Sequence, residues 1–158
     1  MRSGVEIERK FLVGDVPSNL DEYRSGAIDQ GYLAIAQGGL EVRIRRYGEQ
    51  SFLTIKSGGG PVRLEEEIEI DQRRFDSLWR LTEGRRIRKR RYLIPHDDSY
   101  TIELDVYEGA LSGLITAEVE FESPEAAAAF APPAWLGDDI TEDSRYKNRQ
   151  LAVEGAPD

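Results

Sequence analysis

Apolar and charged residues alternate with a period of two along most of this chain, the pattern of strands with one apolar and one polar face. Val5 to Val13 sets Val5, Ile7, Phe11 and Val13 against Glu6, Glu8 and Lys10. Ile28 to Ala36 is a second run, and Gln37-Gly38-Gly39 marks a turn after it. Leu40 to Tyr47 alternates Val42 and Ile44 with Arg43 and Arg45, Ser51 to Lys56 follows, and Ser57-Gly58-Gly59-Gly60-Pro61 breaks the pattern. Val62 to Ile70 opposes Leu64, Ile68 and Ile70 to Arg63, Glu65, Glu67 and Glu69. Arg86 to Ile94, Tyr100 to Tyr107 and Ile115 to Glu122 complete the set.

Helical signals are few. Asp71 is placed to cap a short amphipathic helix carrying Phe75, Leu78 and Trp79 and ending near Thr82. Ser123-Pro124-Glu125 starts an alanine-rich helix that Pro132-Pro133 ends. A last helical stretch, about Glu142 to Leu151, carries Arg145, Lys147 and Arg149. Eight strands with short connections predict a mainly β, antiparallel fold closed into a barrel, in one domain spanning 1–158. A barrel of that size holds side chains or one small ligand.

Composition narrows the chemistry. With no cysteine, disulfides and thiolate metal sites are excluded, and oxygen ligands favour Mg²⁺, Mn²⁺ or Ca²⁺. The one histidine, His96 in Pro95-His96-Asp97-Asp98, reads as a turn residue, and Trp79 and Trp135 read as packing residues. A net charge of −9 argues against nucleic-acid binding. The N-terminal Met1-Arg2-Ser3-Gly4 runs straight into charged residues, and no apolar stretch approaches membrane-spanning length. A cytoplasmic protein without a membrane or nucleic-acid partner, monomeric or homodimeric, is therefore expected.

The distribution of charge says more than its sum. Fourteen of the 21 Lys and Arg residues lie between Arg43 and Arg91, whereas Thr101 to Asp143 contains none and holds eleven Asp and Glu. Residues at i and i+2 share a strand face, so the charges fall into like-signed pairs: Glu6 and Glu8, Arg43 and Arg45, Glu65 and Glu67, Lys89 and Arg91, Glu103 and Asp105, Glu118 and Glu120. Any one such strand is an ordinary amphipathic strand with a wet face. The whole set is costly unless opposite charge sits between the pairs, cations beside the acids and a polyanion beside the bases. A barrel interior carrying both signs would take a polyphosphate together with its divalent metals. Arg9, Arg46, Arg88 and Arg90 fall on the opposite strand face and read as outward.

The ordered series Glu6-Ile7-Glu8-Arg9-Lys10, Arg43-Ile44-Arg45, Thr54-Ile55-Lys56, Arg63-x-Glu65-x-Glu67, Lys89-Arg90-Arg91, Glu103-Leu104-Asp105 and Glu118-Val119-Glu120 resembles the CYTH family, the triphosphate tunnel metalloenzymes. The resemblance runs from Val5 to about Asn148. It implies an eight-stranded antiparallel tunnel that uses Mg²⁺ or Mn²⁺ on triphosphates. It further implies Glu6, Glu8, Glu118 and Glu120 as metal ligands, with Asp105 and Glu67 as second candidates. Lys10, Arg43, Arg45, Lys56, Lys89 and Arg91 would grip phosphate. Ser144-Arg145-Tyr146-Lys147-Asn148 resembles a C-terminal plug helix whose lysine, Lys147, enters the tunnel; Lys10 and Lys147 are the lysines given a catalytic part.

Phosphoryl transfer depends on positioning and charge neutralisation, so this constellation suits a metal-positioned water as nucleophile. Members of the family act on inorganic tripolyphosphate, thiamine triphosphate and RNA 5′ ends, or cyclise ATP. The short chain and its closing segment resemble the small bacterial tripolyphosphatases, giving hydrolysis of inorganic tripolyphosphate as the expected activity. An adenylate cyclase, a thiamine or nucleoside triphosphatase, and a non-enzymatic polyphosphate-binding module are the alternatives.

Overall fold

The computed structural model describes the backbone of residues 2–57, 62–97 and 99–158, and the side chains of 7–57, 63–97 and 99–158. Eight strands form: β1 (Arg2–Leu12), β2 (Arg24–Ile35), β3 (Glu41–Tyr47), β4 (Gln50–Lys56), β5 (Val62–Ile70), β6 (Arg86–His96), β7 (Tyr100–Tyr107) and β8 (Ile115–Glu120). Three helices flank them: α1 (Gln72–Trp79), α2 (Pro124–Ala129) and α3 (Asn148–Glu154). The predicted glycine break at Gly58-Gly59-Gly60-Pro61 lies outside the described residues, as does Asp98.

All neighbouring strands run antiparallel, and the hydrogen-bonded ring closes in the order β1-β5-β4-β3-β2-β6-β7-β8. The closure is uneven, because β1 divides itself between its neighbours. Arg2 to Ile7 pair with β5, and Glu8 to Leu12 pair with β8. Where β5 leaves β1, residues 137–141 take over the exposed edge. Leu12 N donates to Asp138 O (2.9 Å), Gly137 N to Leu12 O (2.7 Å) and Ile140 N to Lys10 O (2.8 Å). A Cβ at Gly137 would meet Leu12 O at 2.7 Å, so only glycine allows this approach.

Two apolar clusters hold the barrel, and both follow from strand parity. The outer faces of β1, β6, β7 and β8 supply Phe11, Ile94, Ile102, Leu104, Ala117 and Val119, which pack against Phe130 and Leu136 beyond α2. Arg9 lies on this outer face as expected, bonded to Asp139 and to the carbonyls of Ala127 and Phe130. The second cluster is inside. Tyr32, Ile87 and Tyr107 turn inward from β2, β6 and β7 and meet Leu111 and Leu151 of α3. One end of the barrel interior is thus apolar and closed by α3.

Both predicted helix caps form: Asp71 accepts from Arg74 N (2.7 Å) and Ser123 accepts from Ala126 N (3.1 Å). Trp79 stacks on Phe75, and Arg86 lies over its ring. Two expectations need correction. The C-terminal helix is not continuous from Glu142. Asp143 turns back on Arg145 N, a single 3₁₀ turn spans Ser144–Tyr146, and Lys147 is extended (ψ 141°) before α3 starts. His96 ends β6 instead of lying in a turn, with its ring against the edge of Phe130. No helix among the described residues is long and apolar enough to cross a membrane.

Candidate active site

The interior of the barrel holds a cavity of about 180 Å³ lined almost wholly by charged and polar side chains. The strands sort the lining by sign. β3 and β4 contribute Arg43, Arg45 and Lys56, β6 contributes Lys89 and Arg91, and the extended segment before α3 brings Lys147. On the strands that follow β6 in the ring, Glu103 of β7, Glu118 and Glu120 of β8, and Glu8 of β1 form the acidic wall. Lys10 also lines the cavity; its Nζ donates to Tyr146 O (2.6 Å) and lies 3.7 Å from Glu118.

Burial, and after it the neighbouring cations, lowers the proton affinity of several groups on the cationic side. Burial, with Arg43 and Arg91 nearby, pushes Arg45 down to about 10. Lys147 is lowered by burial and by Arg63 and Arg149. Lys89 is 1% exposed, and burial brings it from its ordinary 10.5 to about 8 although Asp105 opposes the shift. Such a group is charged below pH 8 and neutral above it. Anion affinity should therefore fall as pH rises through about 8. Stability should not fall with it, since the unfolded lysine keeps its proton up to 10.5 and the group's contribution rises with pH over that window. Titrating tripolyphosphate binding and thermal unfolding side by side from pH 7 to 9.5 checks the split. Parallel loss of both would place the effect elsewhere.

The acidic wall carries oxygen donors of the kind a divalent cation takes. Glu8 and Glu120 face each other across β1 and β8, as do Glu103 and Glu118 across β7 and β8. Glu8 and Glu118 come within hydrogen-bonding reach, and two carboxylates so placed need a proton or a cation between them. Against burial, Lys10, Arg91 and Lys89 hold the Glu118 carboxyl below the usual carboxylate range. Glu103 is raised, by burial first and by Glu118, Asp105 and Glu120 against the pull of Arg91. All donors are carboxylate oxygens, the set that Mg²⁺ and Mn²⁺ prefer. Among the described residues no three carboxylates close on one point. The Glu6 side chain lies outside the described residues.

Of the predicted site residues, Glu8, Lys10, Arg43, Arg45, Lys56, Lys89, Arg91, Glu118, Glu120 and Lys147 share this cavity. Asp105 and Glu67 lie behind it. Asp105 is fully buried; Arg91 donates to both its oxygens (2.8 and 2.9 Å) and Lys89 Nζ sits 2.8 Å away. Against burial, these cations hold its carboxyl below the usual range. Glu67 accepts from Thr54 (3.3 Å) and lies 3.9 Å from Arg45. Both carboxylates therefore hold cations that line the cavity: Asp105 holds Lys89 and Arg91, and Glu67 stands beside Arg45.

Residues to which the sequence assigned no site role also line the cavity: Tyr32, Glu41, Arg63, Glu103 and Arg149. For Glu41 and Glu103 the signal was strand parity with Arg43 and Asp105. For Arg149 there was none, because a break at Lys147 resets which side of α3 faces the barrel.

A model of the CYTH domain matches residues 4–150. An inorganic triphosphatase from Nitrosomonas europaea is 49% identical over 148 residues, which span 94% of this chain and 97% of that protein. A second inorganic triphosphatase, from Acetivibrio thermocellus, is 36% identical over 154 residues, 94% of this chain and 93% of that protein. A crystal structure of an inorganic triphosphatase superposes with a TM-score of 0.73 at 45% identity, covering 96% of this chain and 97% of the other.

Proposed function

The chain belongs to the CYTH domain family, and we propose that it hydrolyses inorganic triphosphate to pyrophosphate and orthophosphate with the help of Mg²⁺ or Mn²⁺. The observation that carries this reading is the two-sign cavity: Arg43, Arg45, Lys56, Lys89, Arg91 and Lys147 share about 180 Å³ with Glu8, Glu118 and Glu120. A polyanion is the ligand that relieves the first group. The names of the similar proteins point the same way.

In this reading Arg43, Arg45 and Arg91 fix the phosphate oxygens, the guanidinium fork suiting bidentate contact. Lys56, Lys89 and Lys147 add point charges. Glu8, Glu118 and Glu120, with Glu6 and Glu103, hold the divalent cations. Bound there, those cations supply charge neutralisation at the phosphoryl group and acidify water. Asp105 and Glu67 keep the arginines and Lys89 aimed at the cavity. Lys10, between Glu118 and the Tyr146 carbonyl, would steady the developing charge on the departing phosphate.

The test is phosphate release from tripolyphosphate, pyrophosphate, ATP and thiamine triphosphate with each metal. The reading expects tripolyphosphate to be turned over in preference to the rest. Cyclic AMP from ATP as the main product would make the chain a cyclase. Inactivity on all four would leave a binding module.

A further inference from the structure

One acidic residue lies on the wrong side of the cavity. Glu41 starts β3, and with Arg43 and Arg45 it shares the inward face of that strand among the cations. It is 3% exposed. One of its oxygens, Oε1, accepts from Arg63 Nη2 at 2.9 Å and from Arg149 Nη1 at 3.3 Å, while Oε2 stands 3.8 Å from Arg43 Nη1. Its cross-strand partner on β4 is Lys56. Three guanidiniums from β3, β5 and α3 thus converge on a single carboxylate, an arrangement suited to a phosphate.

The position of Glu41 gives this a consequence. Arg149 belongs to α3, which closes one end of the barrel, so β3 runs from the closed end as Glu41, Arg43, Arg45. A phosphate chain lying along Arg45 and Arg43 reaches Glu41 last. There it meets a fixed negative charge and arginines already neutralised.

We propose that Glu41 is a specificity-determining residue that sets the length of the phosphate chain by standing, as a built-in anion, where a further phosphate would bind. The proposal rests on the triphosphate reading of the cavity. Its chemistry is that of like-charge exclusion, in which a fixed charge facing one of the same sign rejects the wrong ligand. Glu41→Gln keeps the size of the side chain, removes the charge and returns Arg63 and Arg149 to the cationic track.

Calorimetric titration in EDTA with tripolyphosphate and with tetrapolyphosphate tests it without turnover. Wild-type protein should bind tripolyphosphate more tightly. E41Q should shift the ratio of the two affinities toward tetrapolyphosphate by at least about tenfold. Glu41→Asp, which keeps the charge and withdraws it by one methylene, should move the ratio the same way by less, and serves if E41Q does not fold. An unchanged ratio, within about twofold, in whichever of these variants gives a cooperative unfolding transition overturns the role of Glu41. Wild-type protein that binds neither compound overturns the triphosphate reading itself, and the proposal with it.

Discussion

Glu8→Gln is expected to lower metal-dependent tripolyphosphate turnover by at least about a hundredfold while the protein stays folded. Glu8 lines the cavity, faces Glu120 across the β1–β8 pair and comes within hydrogen-bonding reach of Glu118. The amide preserves the shape and removes one negative charge from the point where the acidic strands meet. Loss of charge there weakens the hold on a divalent cation and leaves the cationic wall untouched. The direct readout is Mn²⁺ affinity by calorimetry, with unfolding temperature as control. An unchanged Mn²⁺ affinity would take Glu8 out of the metal site, whatever happened to turnover. The substitution should also raise stability slightly in the metal-free protein, because it relieves repulsion between neighbouring carboxylates.

Asp105→Asn should have the opposite signature. Asp105 is buried beneath Lys89 and Arg91, which are themselves 1% and 7% exposed. Removing its charge leaves two buried cations without their principal counter-ion, a loss of about 3–5 kcal/mol by analogy with broken buried pairs. For a chain of this size that corresponds to a fall in Tm of about 10 °C. Mn²⁺ affinity should change little, since the Asp105 oxygens are taken up by Arg91 and Lys89 and do not reach the cavity. A variant of undiminished stability that has lost Mn²⁺ binding would restore Asp105 to the ligand set. The two substitutions together separate a carboxylate that holds metal from one that holds lysine and arginine.

That distinction was beyond the reach of the sequence, and the reason is geometric. Glu103 and Asp105 share a strand face, so period-two reasoning gives both an inward side chain and cannot rank their depth. The structure gives Glu103 to the cavity and Asp105 to the wall because Asp105 pairs across the sheet with Arg91, while Glu103 lies beside Glu118. Glu41 illustrates a different blindness. Its inward direction follows from the parity of Arg43, yet its three arginine partners come from β3, β5 and α3, and no spacing announces such a meeting.

The barrel itself was legible. Val62 to Ile70 and Tyr100 to Tyr107 form strands over the predicted residues; in Tyr100 to Tyr107 alternation buries Ile102 and Leu104, whereas in Val62 to Ile70 Glu65 and Glu67 turn inward and Leu64 and Ile68 face out. β2 begins four residues earlier than Ile28, in a stretch where Arg24, Ser25 and Gly26 have weak strand propensity and pairing with β6 decides the outcome. The C-terminal break at Lys147 was hidden for the same kind of reason. Lys147 has ordinary helix propensity, and the local turn of Asp143 onto Arg145 together with the docking of Leu151 overrides it.

The central claim, that one two-sign cavity performs metal-assisted cleavage of a bare triphosphate, is tested most directly by phosphorus NMR of tripolyphosphate incubated with the protein and Mg²⁺ or Mn²⁺. Equal amounts of orthophosphate and pyrophosphate should accumulate, with pyrophosphate itself not consumed and no product formed in EDTA. Tripolyphosphate left intact with either metal, or cleaved equally well in EDTA, would contradict the account.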